Sequence, residues 1–389
     1  MSFYGEFKYE CVIFIFFVSM KILFLSHYSS LYGANRSLES LIMHFQKRAI
    51  NIEVLLPSKG ELYKLLQKNG IKVHSFMFLY EVLYVKNNIK YLSLPLLWLY
   101  DWLAFPFLLY KIHQINPDVI YANSSVDAFS IWIAKLLNKR HVVHVREFMY
   151  EDFGAQFLFG RKAKKIYLEK SDKMIFVSQA VANSVVGNLL PTARVIYNGV
   201  KKPNRIKKAY DFSSVLRLGV VGNLDVSKQQ DVAIKYMTEI VAKFPNVRLH
   251  IIGDKKGAYK NYIYKLVDDL HLNNIVKFDG FIKNVDEIYD KFDVLLMCSR
   301  SEAFGRVTIE AMQRNIPVIG YDSAGTSELI IDGVTGFKYT TIVEIVKALD
   351  VLISDSQKTR EIIKDAKMRA DSLFSEQAYV ENVLKFVME

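Results

Sequence analysis

A chain of 389 residues with 51% hydrophobic residues is too apolar for a disordered polypeptide, and it is long enough for two domains with a core each. Its two cysteines, Cys11 and Cys298, lie far apart with no metal-ligand spacing, which excludes a disulfide framework and points to a reducing compartment, the cytoplasm. A formal net charge of +11 calls for an anionic partner: nucleic acid, an anionic membrane face or phosphorylated small molecules.

Residues 1–19 stand apart. Their apolar run Val12–Val18 is too short to cross a bilayer, and it follows Glu6 and Glu10 instead of a basic segment. They read either as an appendage or as an extra edge strand or helix. From Met20 strands and helices alternate, the pattern of a doubly wound α/β sheet. Strands are predicted at Lys21–Ser26, Ile52–Leu56 and Val73–Phe76, with helices at Arg36–Arg48 and Leu62–Lys68. Between Phe76 and Ile112 the rhythm gives way to dense Leu, Phe, Tyr and Trp, including Trp98 and Trp102. That composition suits either a membrane interface or a helix packed into the core.

Strands resume at Val119–Ala122, His141–Val145, Met174–Ser178 and Arg194–Tyr197, with a helix over Val126–Leu137. A helix-like basic segment carries Arg161, Lys162, Lys164, Lys165, Lys170 and Lys173. Charge runs are commonly solvated faces; beside an aromatic stretch, attraction to anionic lipid headgroups is expected, and with it peripheral contact with a membrane. The polar run Asn198–Asp211 contains Pro203 and five Lys or Arg residues, the composition of a linker. Strands are then predicted at Leu216–Val221, Val247–Ile252, Ile275–Phe278, Val294–Cys298, Pro317–Tyr321 and Gly336–Tyr339, before helices near Ile342–Ser354, Gln357–Leu373 and Ser375–Met388. The chain thus divides into an appendage (1–19), a first α/β domain (20–200), a linker (201–213), a second α/β domain (214–373) and a C-terminal helix (374–389) expected to cross back to the first domain. The cleft between the two halves is the expected site.

Val294–Tyr321, VLLMCSRSEAFGRVTIEAMQRNIPVIGY, is the most informative stretch. Two short apolar runs bracket a polar loop and a helix whose apolar side is Val307, Ile309, Ala311 and Met312, a β-loop-α-β unit of a parallel sheet. Ligands of such sheets bind beyond the carboxyl ends of the strands, where Ser299–Gly305 falls. Amides at Gly305–Val307 would favour an anion, whereas the carboxylates of Glu302 and Glu310 suit sugar hydroxyls.

These residues, with Phe304-Gly305 inside the loop and Pro317-Val318 after the helix, resemble the retaining glycosyltransferases of family 4. The resemblance is strongest over Leu216–Tyr339 and continuous from Met20. It implies the GT-B fold, two facing Rossmann-like doubly wound domains, the first on the acceptor side and the second binding a nucleotide sugar. It also implies that Glu310 binds the nucleotide ribose, that Glu302 addresses the donor sugar, and that Phe304, Gly305, Arg306 and Val307 offer backbone amides to sugar and diphosphate. A second anchor is Gly222-Asn223-Leu224-Asp225-Val226-Ser227-Lys228. The family typically has Arg where Asn223 stands and Lys where Lys228 stands, both directed at the diphosphate. Lys228 is retained, a cation that would stabilise the charge of the departing nucleotide. Asn223 carries no charge, so Arg300 or Arg306 is expected to compensate.

Gly33, in Gly33-Ala34-Asn35-Arg36 after the first strand, takes the place of the family's glycine-rich loop: either a close backbone approach to a ligand or a tight turn. It is no GxGxxG fingerprint, which argues against a dinucleotide oxidoreductase. By resemblance, His144 and Arg146 in His144-Val-Arg146-Glu147 face the cleft and contact donor sugar or acceptor, with Asn123 a weaker candidate. Gly280-Phe281 resembles the segment that meets the nucleotide base, or is a hydrophobic turn. Asn198-Gly199 resembles the family's hinge turn.

The function expected is therefore transfer of a sugar from a UDP- or GDP-sugar to a polysaccharide or lipid-linked glycan acceptor, with no cofactor and no metal required. The leaving phosphate would help to deprotonate the acceptor, which fits a chain showing no nucleophile and base pair. A nucleotide-sugar 2-epimerase of the same fold and a nucleotide-sugar-binding protein without catalysis, the latter motivated by Asn223, are the alternatives. Nucleic-acid binding is not expected, since the basic residues form no recognised module.

Overall fold

The computed structural model describes residues 20–31, 33–78, 82–84, 94–127, 129–148, 155–157, 160–207 and 215–389. The expected appendage 1–19, part of the aromatic stretch after Phe76 and part of the polar run after Lys207 lie outside these residues. The chain forms two units, 1–199 with 379–389, and 200–378.

In the first unit the order is β1 (Lys21–Leu25), α1 (Gly33–Lys47), β2 (Asn51–Leu56), α2 (Glu61–Lys68), β3 (Lys72–Ser75), β4 (Val82–Tyr84), α3 (Leu94–Ile115), β5 (Val119–Ala122), α4 (Ser130–Leu136), β6 (Arg140–Val145), β7 (Ala155–Phe157), α5 (Gly160–Leu168), β8 (Lys173–Phe176), α6 (Gln179–Val185) and β9 (Ala193–Val195). Among the described residues seven strands make one parallel sheet, β3-β2-β1-β5-β6-β8-β9. Apolar, β-branched runs such as KILFL and VIYA are buried on both faces because helices cover each side. β1 lies between β2 and β5, so the order reverses there and the turn after β1 opens at a topological switch point. A short antiparallel pair, β4 with β7, has no counterpart among the predicted strands.

The second unit runs β10 (Leu216–Val221), a 3-10 turn (Val226–Lys228), α7 (Gln230–Lys243), β11 (Val247–Ile252), α8 (Ala258–Asp269), β12 (Val276–Gly280), α9 (Val285–Tyr289), β13 (Val294–Met297), α10 (Arg306–Gln313), β14 (Val318–Tyr321), α11 (Ala324–Leu329), β15 (Phe337–Tyr339), α12 (Ile342–Ser354) and α13 (Ser356–Leu373). Its parallel sheet has the order β12-β11-β10-β13-β14-β15 among the described residues. The switch point falls between β10 and β13. The turn after β10 and the loop after β13, far apart in sequence, therefore emerge side by side at the same sheet edge.

The last helix, α14 (Glu376–Met388), places Tyr379, Val380, Val383, Phe386 and Val387 in the core of the first unit, against Phe24, Val142 and Ile175. Residues 201–207, expected as a linker, are tied to the second unit: Lys207 pairs with Asp293, Asn204 donates to Asp286 Oδ2 at 3.3 Å, and Arg205 reaches Asp290 at 3.1 Å. A polar, basic composition here reflects ion pairs with an acidic surface and not a free tether.

Candidate functional site

The loop between β13 and α10 is built from its glycines and carboxylates. Gly305 adopts the left-handed conformation, φ 94°, and a Cβ there would come 3.2 Å from Leu329 Cδ1 and 3.4 Å from Glu302 Cγ. A side chain would thus be both strained and crowded. The turn lets α10 start sharply, with the first-turn amides of Arg306 and Val307 directed back over the loop. The loop is held from outside: Gly325 N donates to Glu302 O at 2.8 Å, and Phe304 is buried edge-on against Phe374 at 6.1 Å.

The Glu302 side chain turns toward the neighbouring strand end. Its Oε2 lies 2.6 Å from Lys228 Nζ, and Ser299 Oγ donates to Ser227 O at 2.9 Å, so the two loops at the switch point are joined twice. Lys228 is positioned by bare backbone: a Cβ on Gly222 would be 3.5 Å from Lys228 Cγ, so the lysine stem lies over that glycine. Gly253, φ 137°, follows β11 and brings its Cα against the same turn; a Cβ on it would stand 2.0 Å from Gly222 O. Asp225 caps the 3-10 turn through Ser227 N at 3.1 Å and pairs with Lys255. Burial opposes ionisation of Asp225, but the Lys255 ammonium and the Ser227 amide outweigh it and hold the carboxyl below its usual range.

Glu310, on the second turn of α10, accepts a hydrogen bond from Tyr289 Oη at 2.8 Å, with Arg306 Nη2 at 3.6 Å. Burial and the adjacent Glu310 carboxylate push the Tyr289 phenol well above its ordinary value, so it remains a proton donor. Behind it Arg314 ties α10 to α9, donating to Asp286 Oδ1 at 2.7 Å and to Glu310 O at 3.0 Å. Tyr289 is a site residue that sequence reasoning missed; its position is set by α9, which carries no motif of its own.

Asn223 is exposed, and its carbonyl accepts from Gln230 Nε2 at 2.9 Å. The two expected substitutes for its missing charge are otherwise engaged: the Arg300 guanidinium stacks over the Tyr321 ring at 5.1 Å, and Arg306 faces Glu310. The cation that does stand beside the Asn223 turn is Lys255, in the loop after β11. Phe281 is exposed just past β12.

In the first unit the residues expected at the site separate into two groups. Gly33 opens α1 at the surface with no atom within 4 Å of a Cβ. His144 and Arg146, expected to face the cleft, are both buried. His144 Nδ1 is 2.7 Å from Tyr121 Oη, and its Nε2 has no hydrogen-bond partner among the described residues. Burial, aided by the Arg146 charge, pulls His144 well below its ordinary pKa, so the ring is neutral. Arg146 donates to Asn123 Oδ1 at 2.8 Å, Asn198 Oδ1 at 2.6 Å and Tyr379 Oη at 2.8 Å, so this buried cation is held by neutral acceptors. Asn35, fully buried, organises the turn after β1: it accepts from Ser26 Oγ at 2.7 Å and donates to the carbonyls of Tyr28 and Ser30, both at 2.9 Å. A buried asparagine in the first turn of α1 whose partners lie in the preceding turn leaves no periodic signal, and its role was not legible.

Residues 205–369 match the family model for glycosyl transferases group 1, and residues 32–202 match that for glycosyltransferase family 4. The chain belongs to glycosyltransferase family 4. Among relatives of this family 4 chain, an uncharacterized glycosyltransferase of Methanocaldococcus jannaschii is 32% identical over 46% of this chain and 48% of its own length. N-acetyl-alpha-D-glucosaminyl L-malate synthase of Bacillus anthracis is 31% identical over 44% of this chain and 46% of its own length. The chain thus spans about half the length of the curated relatives it matches. Anabaena HepE in complex with UDP shares the GT-B fold, with a TM-score of 0.76 at 23% identity, covering 95% of this chain and 99% of that one. The same Anabaena protein with UDP-glucose gives a TM-score of 0.72 at 22% identity, over 95% and 99% of the two chains.

Proposed function

We propose that this chain is a retaining, metal-independent glycosyltransferase that moves a sugar from a UDP-sugar to a glycan or lipid-linked acceptor. The observation that carries the reading is the meeting of Lys228 and Glu302 at the switch point of the second unit, in the loop that leads into the helix carrying Glu310. A carboxylate that only accepts hydrogen bonds suits a ribose diol, and Glu310 is held for that task by Tyr289. The amides that open α10 and the Lys228 ammonium converge where a diphosphate would lie, a helix start being a natural anion site. A diphosphate there competes with Glu302 for Lys228, and the carboxylate so released turns to hydroxyls of the transferred sugar. The complexes of the Anabaena protein with UDP and UDP-glucose support uridine over guanosine as the donor base.

In the reaction the bond between the anomeric carbon and the diphosphate oxygen breaks. The acceptor oxygen bonds to that carbon on the same face, and the acceptor proton passes to the departing phosphate oxygen. Lys228 and the α10 amides stabilise the negative charge as it develops. In the first unit, the unpartnered Nε2 of His144 supports a hydrogen bond to a ligand hydroxyl, with Arg146 positioning the strand end through Asn123 and Asn198.

The test is incubation with a panel of UDP-sugars and glycan acceptors, following UDP release and the anomeric configuration of the product by NMR, with and without EDTA. UDP release, retained configuration and indifference to EDTA are expected. An inverted product would overturn the retaining mechanism. Epimer formation from donor alone would assign the chain to the epimerases.

A further inference from the structure

At the switch point of the second unit stands a lysine that neither site motif contains. β10 lies between β11 and β13, so the Asn223 turn that follows it has a loop on either side. On the β13 side Lys228 Nζ meets Glu302. On the β11 side the loop Gly253-Asp254-Lys255-Lys256-Gly257 is drawn against the turn by backbone: Gly222 N donates to Ile252 O at 2.9 Å, and a Cβ on Gly253 would stand 3.3 Å from Asn223 N. The Lys255 side chain then crosses to the turn and pairs with Asp225. Asp254 is taken up by Lys260 of α8, whose Nζ lies 2.7 Å away, and leaves Lys255 its charge.

Two ion pairs thus flank one turn, and the one on the β11 side is built to open. Asp225 does not depend on Lys255 for its place: its Oδ1 accepts from Ser227 N and Ser227 Oγ, both at 3.1 Å, while Lys255 sits on Oδ2. The lysine side chain is 54% exposed and that of the aspartate 34%. A pair so open to water contributes little stability, so the ammonium can leave without loss of the turn. A diphosphate, with more negative charge than one carboxylate, competes for it with advantage. Neighbouring strands are about 4.8 Å apart, so an ammonium carried one strand over on a four-carbon stem reaches an anion held above the end of β10.

Resting on the transferase reading, which sets the diphosphate at Lys228 and the start of α10, we infer that Lys255 is a second cation for the nucleotide diphosphate and supplies the charge that Asn223 lacks. In the free chain Lys255 is held on Asp225. With donor bound, its ammonium moves to a phosphate oxygen on the β11 side while Lys228 holds the β13 side. Asp225 stays capped on Ser227 throughout, so Lys228, on the same turn, keeps its position.

UDP is titrated calorimetrically into the full chain and its variants, with thermal midpoints measured alongside. Lys255→Met keeps the stem at an exposed position; it is expected to keep the midpoint and to bind UDP about tenfold more weakly, with Lys255→Arg recovering most of the loss. Lys256→Met removes the same charge one residue further on and should change the affinity by less than about twofold. Asp225→Asn retains an oxygen for the Ser227 cap and should bind UDP at least as tightly as the parent, because it frees the ammonium. A lysine that only braced the turn would make this variant as weak as Lys255→Met. Should Asp225→Asn unfold, the Lys255 and Lys256 variants decide. Parent-like affinity in Lys255→Met beside a weakened Glu310→Ala overturns the inference and leaves the transferase reading standing. Equal losses in Lys255→Met and Lys256→Met, or a folded Asp225→Asn chain as weak as Lys255→Met, also overturn it. A parent chain that binds no UDP overturns the transferase reading, and the inference with it.

Discussion

Lys228 Nζ and Glu302 Oε2 are 2.6 Å apart across 74 residues of sequence, and the parallel sheet alone explains the encounter. β10 and β13 are neighbours whose following connections leave in opposite directions, so residues just past their ends come together over the sheet edge. The pair is partly exposed, 33% for the lysine side chain and 18% for the glutamate, and so remains open to exchange of partners.

If Lys228 stabilises charge that appears only as the nucleotide leaves, Lys228→Ala lowers kcat by roughly 100-fold or more with a smaller effect on donor affinity. Steady-state kinetics and a binding titration separate the two. A fall in donor affinity as large as the fall in kcat contradicts this division of roles. Glu302→Gln and the double variant complete a cycle, and the shared contact predicts losses that are not additive.

At Asn223 a cation is missing beside a turn that already holds Lys228 and Lys255. Asn223→Arg adds a charge-assisted donor at an exposed position and is predicted to tighten UDP binding by roughly tenfold. Calorimetry on the two proteins measures this directly. An unchanged affinity would mean that the turn is not part of the diphosphate site.

Much of the fold was legible because buried parallel strands are short apolar runs: Val119–Ala122 and Leu216–Val221 coincide with their predicted ranges, and Val294–Met297 ends one residue early. The Glu302 and Glu310 loop was legible because a local motif of nine residues carries it. The bond between Arg146 and Tyr379 was not, since a contact spanning 233 residues depends on where the last helix docks, and no local pattern records that. Tyr289 and Asn35 were missed for the same reason: their partners are chosen by the assembled fold. The aromatic stretch after Phe76 left core and membrane open because α3 is apolar on both of its faces, and the hydrophobic period is blurred.

The Arg146 cluster is expected to matter for stability. Tyr379→Phe removes one hydrogen bond to a buried cation and should cost about 1.5–3 kcal/mol, whereas Arg146→Met also leaves the Asn123 and Asn198 carbonyls without their donor and should cost more. Thermal and guanidinium unfolding of the variants give the order. A Tyr379→Phe protein as stable as the parent contradicts the anchoring of α14 through this bond.

Stability should also depend on pH through buried imidazoles. Burial lowers the pKa of His27, His144 and His141, the last to about 4 despite the opposing charges of Asp127 and Asp172. Each is neutral in the folded chain and takes up a proton more readily when unfolded. Their contribution is therefore complete above the ordinary value of 6.5 and is lost as pH falls below it, by up to roughly 1.4 kcal/mol per pH unit for each histidine. Guanidinium midpoints between pH 7 and pH 4 should fall steadily, and a flat profile contradicts the burial of these rings.

The central claim is that the loop after β13 binds a uridine diphosphate sugar through Glu310. Titration calorimetry of UDP into the parent chain and Glu310→Ala tests it with one ligand and one substitution. The account predicts saturable 1:1 binding to the parent and an affinity about tenfold or more weaker in the variant, as loss of hydrogen bonds to a charged acceptor requires. Equal affinity in the two folded proteins, or no binding of UDP to the parent, would contradict it.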